Sequence, residues 1–173
     1  MEKLASYDTI TPDFLEAFLA KYDEAWKSSI GSEMAALCSE NVIWDDPALA
    51  EPAHGPIEVA EYIRWNFTVY PNLRFEAPDP PAISVDGKLA YLRWILKGTN
   101  TGPIDPPGFA ATGRSVEVPG VDEYRFRDGL LARYHAYYDM HDMLTQLGVT
   151  PARDSRMFKT VTRLQRVRMR IGS

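Results

Sequence analysis

From Lys88 onward the side chains alternate with a period of two. Between Lys88 and Thr99, Leu89, Tyr91, Arg93 and Ile95 alternate with Ala90, Leu92, Trp94 and Leu96. Successive side chains of a strand point to opposite faces, so this pattern predicts a strand laid against a core. Arg114 to Phe126 follows a Gly/Pro-rich loop at 100–113 and reads the same way. Leu130 to Tyr138 comes after the turn Asp128-Gly129, a hairpin signal. Leu73 to Val85, closed by Asp86-Gly87, is predicted as a further long strand, so the four form an antiparallel meander.

Before these strands the period is helical. Thr11 is a predicted N-cap and Pro12 a first helical residue. Phe14, Leu15, Phe18, Leu19, Tyr22 and Trp26 then share one apolar face. Ser32 is predicted to cap a short second helix through Met34, Ala35 and Leu37. Val42-Ile43-Trp44 is a brief strand running into Asp45-Asp46-Pro47, and Ala48 to His54 is a loop. Pro56 opens a third helix through Ile57, Ile63 and Phe67, which Tyr70-Pro71-Asn72 ends. Met143 to Leu147 is a helical turn stopped by Gly148. Three helices followed by a meander predict an α+β fold, with the helices packed on a strongly curved, antiparallel or mixed sheet that encloses a conical pocket. Residues 1–150 form the domain and residues 151–173 a basic tail.

Charge separates these two parts. Residues 151–173 hold seven basic groups and Asp154, so 7 − 1 = +6; the other 150 residues hold 12 basic and 23 acidic groups, so 12 − 23 = −11. An acidic body argues against nucleic acid as a partner. In the tail, Met157, Val161, Leu164, Val167/Arg168 and Ile171 fall near helical spacing with arginines between them. Such a helix suits a membrane surface or a partner; packing on the acidic body or on a second subunit is favoured by charge. Cys38 is the sole cysteine, so no internal disulfide is expected, and no Cys/His cluster has zinc spacing. No metal and no cofactor are expected. Met1-Glu2-Lys3-Leu4 does not read as a leader, and no run approaches the ~18 apolar residues of a membrane span. The cytoplasm is the expected compartment.

Two carboxylates stand inside apolar strands: Asp46 in Trp44-Asp45-Asp46-Pro47 and Asp122 in Val121-Asp122-Glu123-Tyr124. Burial disfavours an ionised carboxylate, so an unpaired one has a raised pKa and suits proton transfer. The plainer readings are that Asp46 starts a turn and that Asp122 pairs with Arg93 or Arg125, which would lower its pKa. Asp45 is expected to face solvent, since neighbours alternate. His54 and His141 read as surface groups. His135, flanked by aromatics, is a candidate pocket acid/base near neutral pH, and Asp139 a further candidate acid. Tyr22, on the apolar face of the first helix, is more simply a core aromatic with a satisfied hydroxyl. The rings of Trp26, Trp44, Trp65, Phe67, Tyr91, Trp94, Tyr124, Tyr137 and Tyr138 are mostly core. Trp26, Trp44, Trp65, Trp94, Tyr124 and Tyr137 are the candidates to line a pocket for a flat apolar ligand. The loop Pro103 to Phe109 is either a lid or a stiff connection.

Several stretches in this order carry a family resemblance. They are Trp44-Asp45-Asp46-Pro47 with His54-Gly55-Pro56, Tyr70-Pro71-Asn72-Leu73-Arg74-Phe75, and Gly98-Thr99-Asn100-Thr101-Gly102 with Ala111-Thr112-Gly113-Arg114. Val121 to Phe126 and Gln146-Leu147-Gly148 complete the set. From Phe14 to Gly148 the chain resembles the NTF2-like superfamily, and within it the SnoaL-like polyketide cyclases and ketosteroid isomerases. The isomerase resemblance implies Asp46 as the proton shuttle, with Tyr22 and a protonated Asp122 as donors to an enolate oxygen. The cyclases and limonene epoxide hydrolases instead use an acid on the last strand. Ala136 stands at that position, leaving His135 or Asp139 to take over. The resemblance therefore implies a cofactor-independent isomerase or cyclase acting on a small hydrophobic carbonyl compound, steroid-like or polyketide-like. Its alternatives are a ligand-binding protein without chemistry and an epoxide hydrolase-like hydrolase. It also implies a homodimer.

Overall fold

A computed structural model describes residues 6–171 apart from Arg153, with side chains as far as Arg166. Helix α1, Pro12–Ser28, begins where Thr11 Oγ1 accepts the Phe14 N–H at 3.3 Å and ends at Ser29 in a left-handed conformation. It buries Leu15, Phe18, Tyr22, Ala25 and Trp26, the stripe expected of a helix lying on a core. Helix α2, Ser32–Ala36, has Gly31 as its N-cap, so Ser32 is the first helical residue rather than the cap. A Cβ at Gly31 would come within 2.4 Å of the Ala60 carbonyl oxygen, and its φ is +86°, so only glycine fits there.

Strand β1, Cys38–Asp45, starts earlier than Val42 because Cys38 already pairs with Leu131, far along the chain. The two-residue β2, Ala53–His54, runs antiparallel to it. Helix α3, Gly55–Val69, follows, with Pro56 in its first turn. The long strand expected from Leu73 to Val85 is two short ones, β3 (Arg74–Glu76) and β4 (Ala82–Ile83). Pro78, Pro80 and Pro81 stand between them and have no N–H to give a ladder. The other three strands form as expected: β5, Ala90–Thr99; β6, Ser115–Arg127; and β7, Leu130–Tyr138. Helix α4, Met140–Gln146, begins before Met143 because Asp139 caps it, its Oδ1 accepting the Asp142 N–H at 2.9 Å.

The sheet order is β2-β1-β7-β6-β5-β3, with β4 also on β5. Every pairing is antiparallel except β1 with β7, which makes the sheet mixed. Even-numbered residues of β5 and β6 face inward, and the helices cover that face: this is an α+β fold. Helix α5, Arg156–Ile171, carries the basic tail. Its Met157, Val161 and Leu164 are exposed at 58%, 53% and 65%. Val167, Arg168 and Ile171 belong to it, but their side chains lie outside the described residues. Among the described residues no helix is long and apolar enough to cross a membrane.

Candidate active site

Strand alternation places Asp122 on the inner face of β6 between Gly120 and Tyr124. Gly120 pairs with Trp94 across the ladder, and a Cβ there would sit 2.3 Å from the indole. The missing side chain lets the Trp94 ring lie across β6 and aim its N–H at the acid. Trp94 Nε1 donates to Asp122 Oδ1 at 2.6 Å, and the Tyr134 hydroxyl donates to the same oxygen at 2.7 Å. Tyr124 donates to Oδ2 at 2.8 Å and Tyr22 at 3.3 Å. Asp122 is 3% exposed. Burial pushes its carboxyl up to about 7, against the pull of the Tyr134, Trp94 and Tyr124 hydrogen bonds. The same burial, with the charge of Asp122 beside them, raises Tyr22, Tyr124 and Tyr134, which stay protonated donors. Arg93 pairs with Asp79 and Arg125 with Glu123, both away from Asp122.

Asp46 follows the last residue of β1. Its Oδ1 accepts the Ala48 N–H at 2.9 Å and the Tyr138 hydroxyl at 2.8 Å. Burial is the largest influence on it and raises its pKa; hydrogen bonds from Ala48, Tyr138 and Tyr62 oppose that rise. Asp45 points the other way and meets His135 Nδ1 at 2.8 Å on the outer face of the sheet.

Two cavities adjoin these acids. The larger, about 890 Å³, lies between α1, β3, β4 and β5, and Asp122 forms part of its wall beside Leu15, Leu19, Leu73 and Leu92. The smaller, about 230 Å³, is walled by Asp46, Tyr62, Trp65 and Tyr138 and by Ile104, Pro106, Pro107 and Phe109 of the 100–113 loop. That loop is therefore a wall of the smaller cavity, and Trp65 Nε1 holds it by donating to the Asp105 carbonyl at 3.0 Å. Trp26, Phe75 and Trp94 line both cavities and form the partition between them.

Of the residues singled out from sequence, Asp122, Tyr22, Trp94 and Tyr124 meet at one point, and Asp46 stands across the partition. Trp26 and Trp65 line cavities. Trp44 is fully buried, stacked on Tyr134 with centroids 3.7 Å apart, and supports that ring rather than a ligand. Three further expectations need correction. On β7, Tyr134, Ala136 and Tyr138 face inward, so His135 and Tyr137 fall on the outer face; Tyr137 is 50% exposed and tilted against His135. Asp139 caps α4. Sequence reasoning missed Tyr134 as a donor, left Tyr138 in the core and passed over Tyr62 and Phe75. The inward parity of Tyr134-x-Ala136-x-Tyr138 was the signal that could have found the first two. Among the described residues no three His, Cys, Asp or Glu side chains gather as a metal site.

A family model described as SnoaL-like polyketide cyclase matches residues 16–147. Among solved structures, TsrD from Streptomyces laurentii is 22% identical, with 82% of this chain and 99% of that one covered at a TM-score of 0.66. A candidate SnoaL-like polyketide cyclase from Jannaschia sp. CCS1 is 15% identical, with 83% and 99% covered at 0.68. A protein of ketosteroid isomerase-like fold from Catenulispora acidiphila, in complex with trimethylamine, is 15% identical, with 80% and 95% covered at 0.64. These likenesses establish the fold. Comparison with curated proteins gives no match.

Proposed function

The chain belongs to the SnoaL-like polyketide cyclase family, and from that premise we propose a cofactor-independent enzyme that moves a proton on a small hydrophobic carbonyl compound. The observation that carries this reading is Asp122: a buried carboxyl with a pKa of about 7, ringed by three tyrosines and a tryptophan, in the wall of an apolar cavity of about 890 Å³. A group that titrates near neutrality can hold a proton or give one up at little cost.

Asp46 is the proposed base. Its carboxylate takes a proton from the carbon next to the carbonyl, and the C–H electron pair moves onto the carbonyl oxygen to give an enolate. Protonation of Asp122 turns one of its oxygens into a donor and frees a hydroxyl that had pointed at it. Tyr22, with the longest of the four bonds at 3.3 Å, is the one to turn. Tyr22 and Asp122 then donate to the enolate oxygen, where loss of one such donor typically costs ~3 kcal/mol of barrier. The enolate either takes the proton back from Asp46 at a conjugated carbon, or its carbon attacks a second carbonyl to close a ring and the new alkoxide oxygen takes that proton from Asp46. Isomerase and cyclase share the first step and differ in substrate. Ala136 pairs directly with Asp122 across the ladder. The acid that resembling cyclases carry on the last strand has thus a counterpart one strand away.

The test is exchange of the α-proton of hydrophobic ketones with D2O, followed by NMR. Asp46→Asn should slow exchange by ~10²-fold or more while ligand binding persists. Exchange at the wild-type rate in that variant discards the mechanism. One observation favours a binding protein without chemistry: all four donors already engage both oxygens of Asp122. Binding of the ketones with no exchange in the wild type would decide for it.

A further inference from the structure

The two acids face different cavities, so a ligand that meets both must cross the partition of Trp26, Phe75 and Trp94. The three rings are not equally fixed. Trp94 lies on β5 between two partner strands, is bonded to Asp122 and is pressed across Gly120. Trp26 is 8% exposed and tilts against Trp44 at 6.5 Å. Phe75 sits on the three-residue edge strand β3, half-buried, with the proline-rich break to β4 just beyond it. Its ring has centroids 4.7 Å from Trp26 and 5.5 Å from Trp94, the latter edge-on at 86°. A short edge strand gives way more readily than a central one, because fewer ladder bonds hold it.

We propose that Phe75 is a specificity-determining gate, which lets only a slim end group of an apolar ligand pass from the larger cavity to Asp46. The volumes fit a division of this kind. About 890 Å³ is the size of a pocket for a whole drug-sized molecule. About 230 Å³ takes an end group of one ring or a short chain, since a cavity of ~150 Å³ accepts benzene. The larger cavity therefore binds the body of the ligand, and the gate sets which part of it meets the base. The functional consequence rests on the reading of Asp46 as the proton acceptor; the gate itself does not.

The chain's four tryptophans allow a direct test. Trp65 lines the smaller cavity alone, Trp26 and Trp94 line both, and Trp44 lines neither. With 5-fluorotryptophan incorporated, ¹⁹F NMR reads each cavity separately. The probes are methyl 1-naphthyl ketone and tert-butyl 1-naphthyl ketone, which differ only in the width of the end group. In the wild type the methyl ketone should shift Trp26, Trp94 and Trp65, and the tert-butyl ketone Trp26 and Trp94 alone. Phe75→Ala should add Trp65 to the tert-butyl response. An unshifted Trp44 resonance reports that the variant is folded, and Phe75→Leu replaces it if alanine is not tolerated. The gate is overturned if Trp65 responds alike to both ketones in the wild type, if it responds to neither, or if the variant changes nothing. The readout is binding, so a Trp65 that responds alike to both ketones removes the gate and leaves the proton-transfer reading standing. Loss of that reading through Asp46→Asn leaves the gate in place.

Discussion

Asp122 gains its character from being surrounded rather than paired. Among the described residues no cation touches it; neutral donors do, and burial outweighs them in raising its carboxyl from the ordinary 3.8 to about 7. Folding therefore strengthens its hold on a proton. The raised carboxyl favours the folded state below about pH 4, and this contribution is lost as pH rises to about 7. By linkage the loss is about 4 kcal/mol, with Asp46 acting in the same direction. Urea unfolding of the wild type should give lower stability at pH 8 than at pH 5, and Asp122→Asn should flatten most of that slope. An unchanged slope in the variant would refute the assignment. In the sequence, Asp122 was legible because a carboxylate stands inside a stretch that otherwise reads as a strand against an apolar core. His135 was misread because aromatic residues occupy both faces of β7, so its neighbours could not say which face is inner.

Among the elements, regularity decided what could be read. Helix α1 and strands β5, β6 and β7 repeat their period over several turns or pleats, and their bounds differ from expectation by only a residue or two. The β3–β4 edge was not legible as two strands because apolar residues flank prolines that break the ladder. The partition between cavities was less legible still, since α1, β3 and β5 each supply one ring from distant stretches. The 100–113 loop has its own anchor, which sequence reasoning missed. Asn100, fully buried, donates from Nδ2 to the Gly102 carbonyl at 2.7 Å. Its Oδ1 accepts from the Thr112 N–H at 2.7 Å and the Thr112 hydroxyl at 3.1 Å. Asn100→Ala should cost roughly 2 kcal/mol by leaving buried groups unpaired. It should also speed amide exchange across the loop and weaken ligand contact at Trp65. Hydrogen-exchange mass spectrometry checks the first effect, and unaltered exchange would remove the loop's dependence on this anchor.

At the scale of the whole molecule the charge is divided. The body carries −11 and the tail +6. Met157, Val161 and Leu164 of α5 are exposed, so apolar burial there gives the body little stability. Deleting residues 151–173 should leave the thermal midpoint within about 3 °C, which corresponds to no more than about 1 kcal/mol for a domain of this size. A larger fall would mean that α5 packs on the body more closely than its exposed face implies.

The parallel pairing of β1 with β7 reaches further than architecture. It joins Asp45 to His135 and brings the Tyr138 hydroxyl to Asp46, 92 residues earlier in the chain. Tyr22 and Asp122 are 100 residues apart. Such contacts close late, because the entropy of a long loop must be overcome first. A growing polypeptide can thus form α1 and α3 well before it owns a place for a ligand, and binding competence arrives only when the last strand leaves the ribosome.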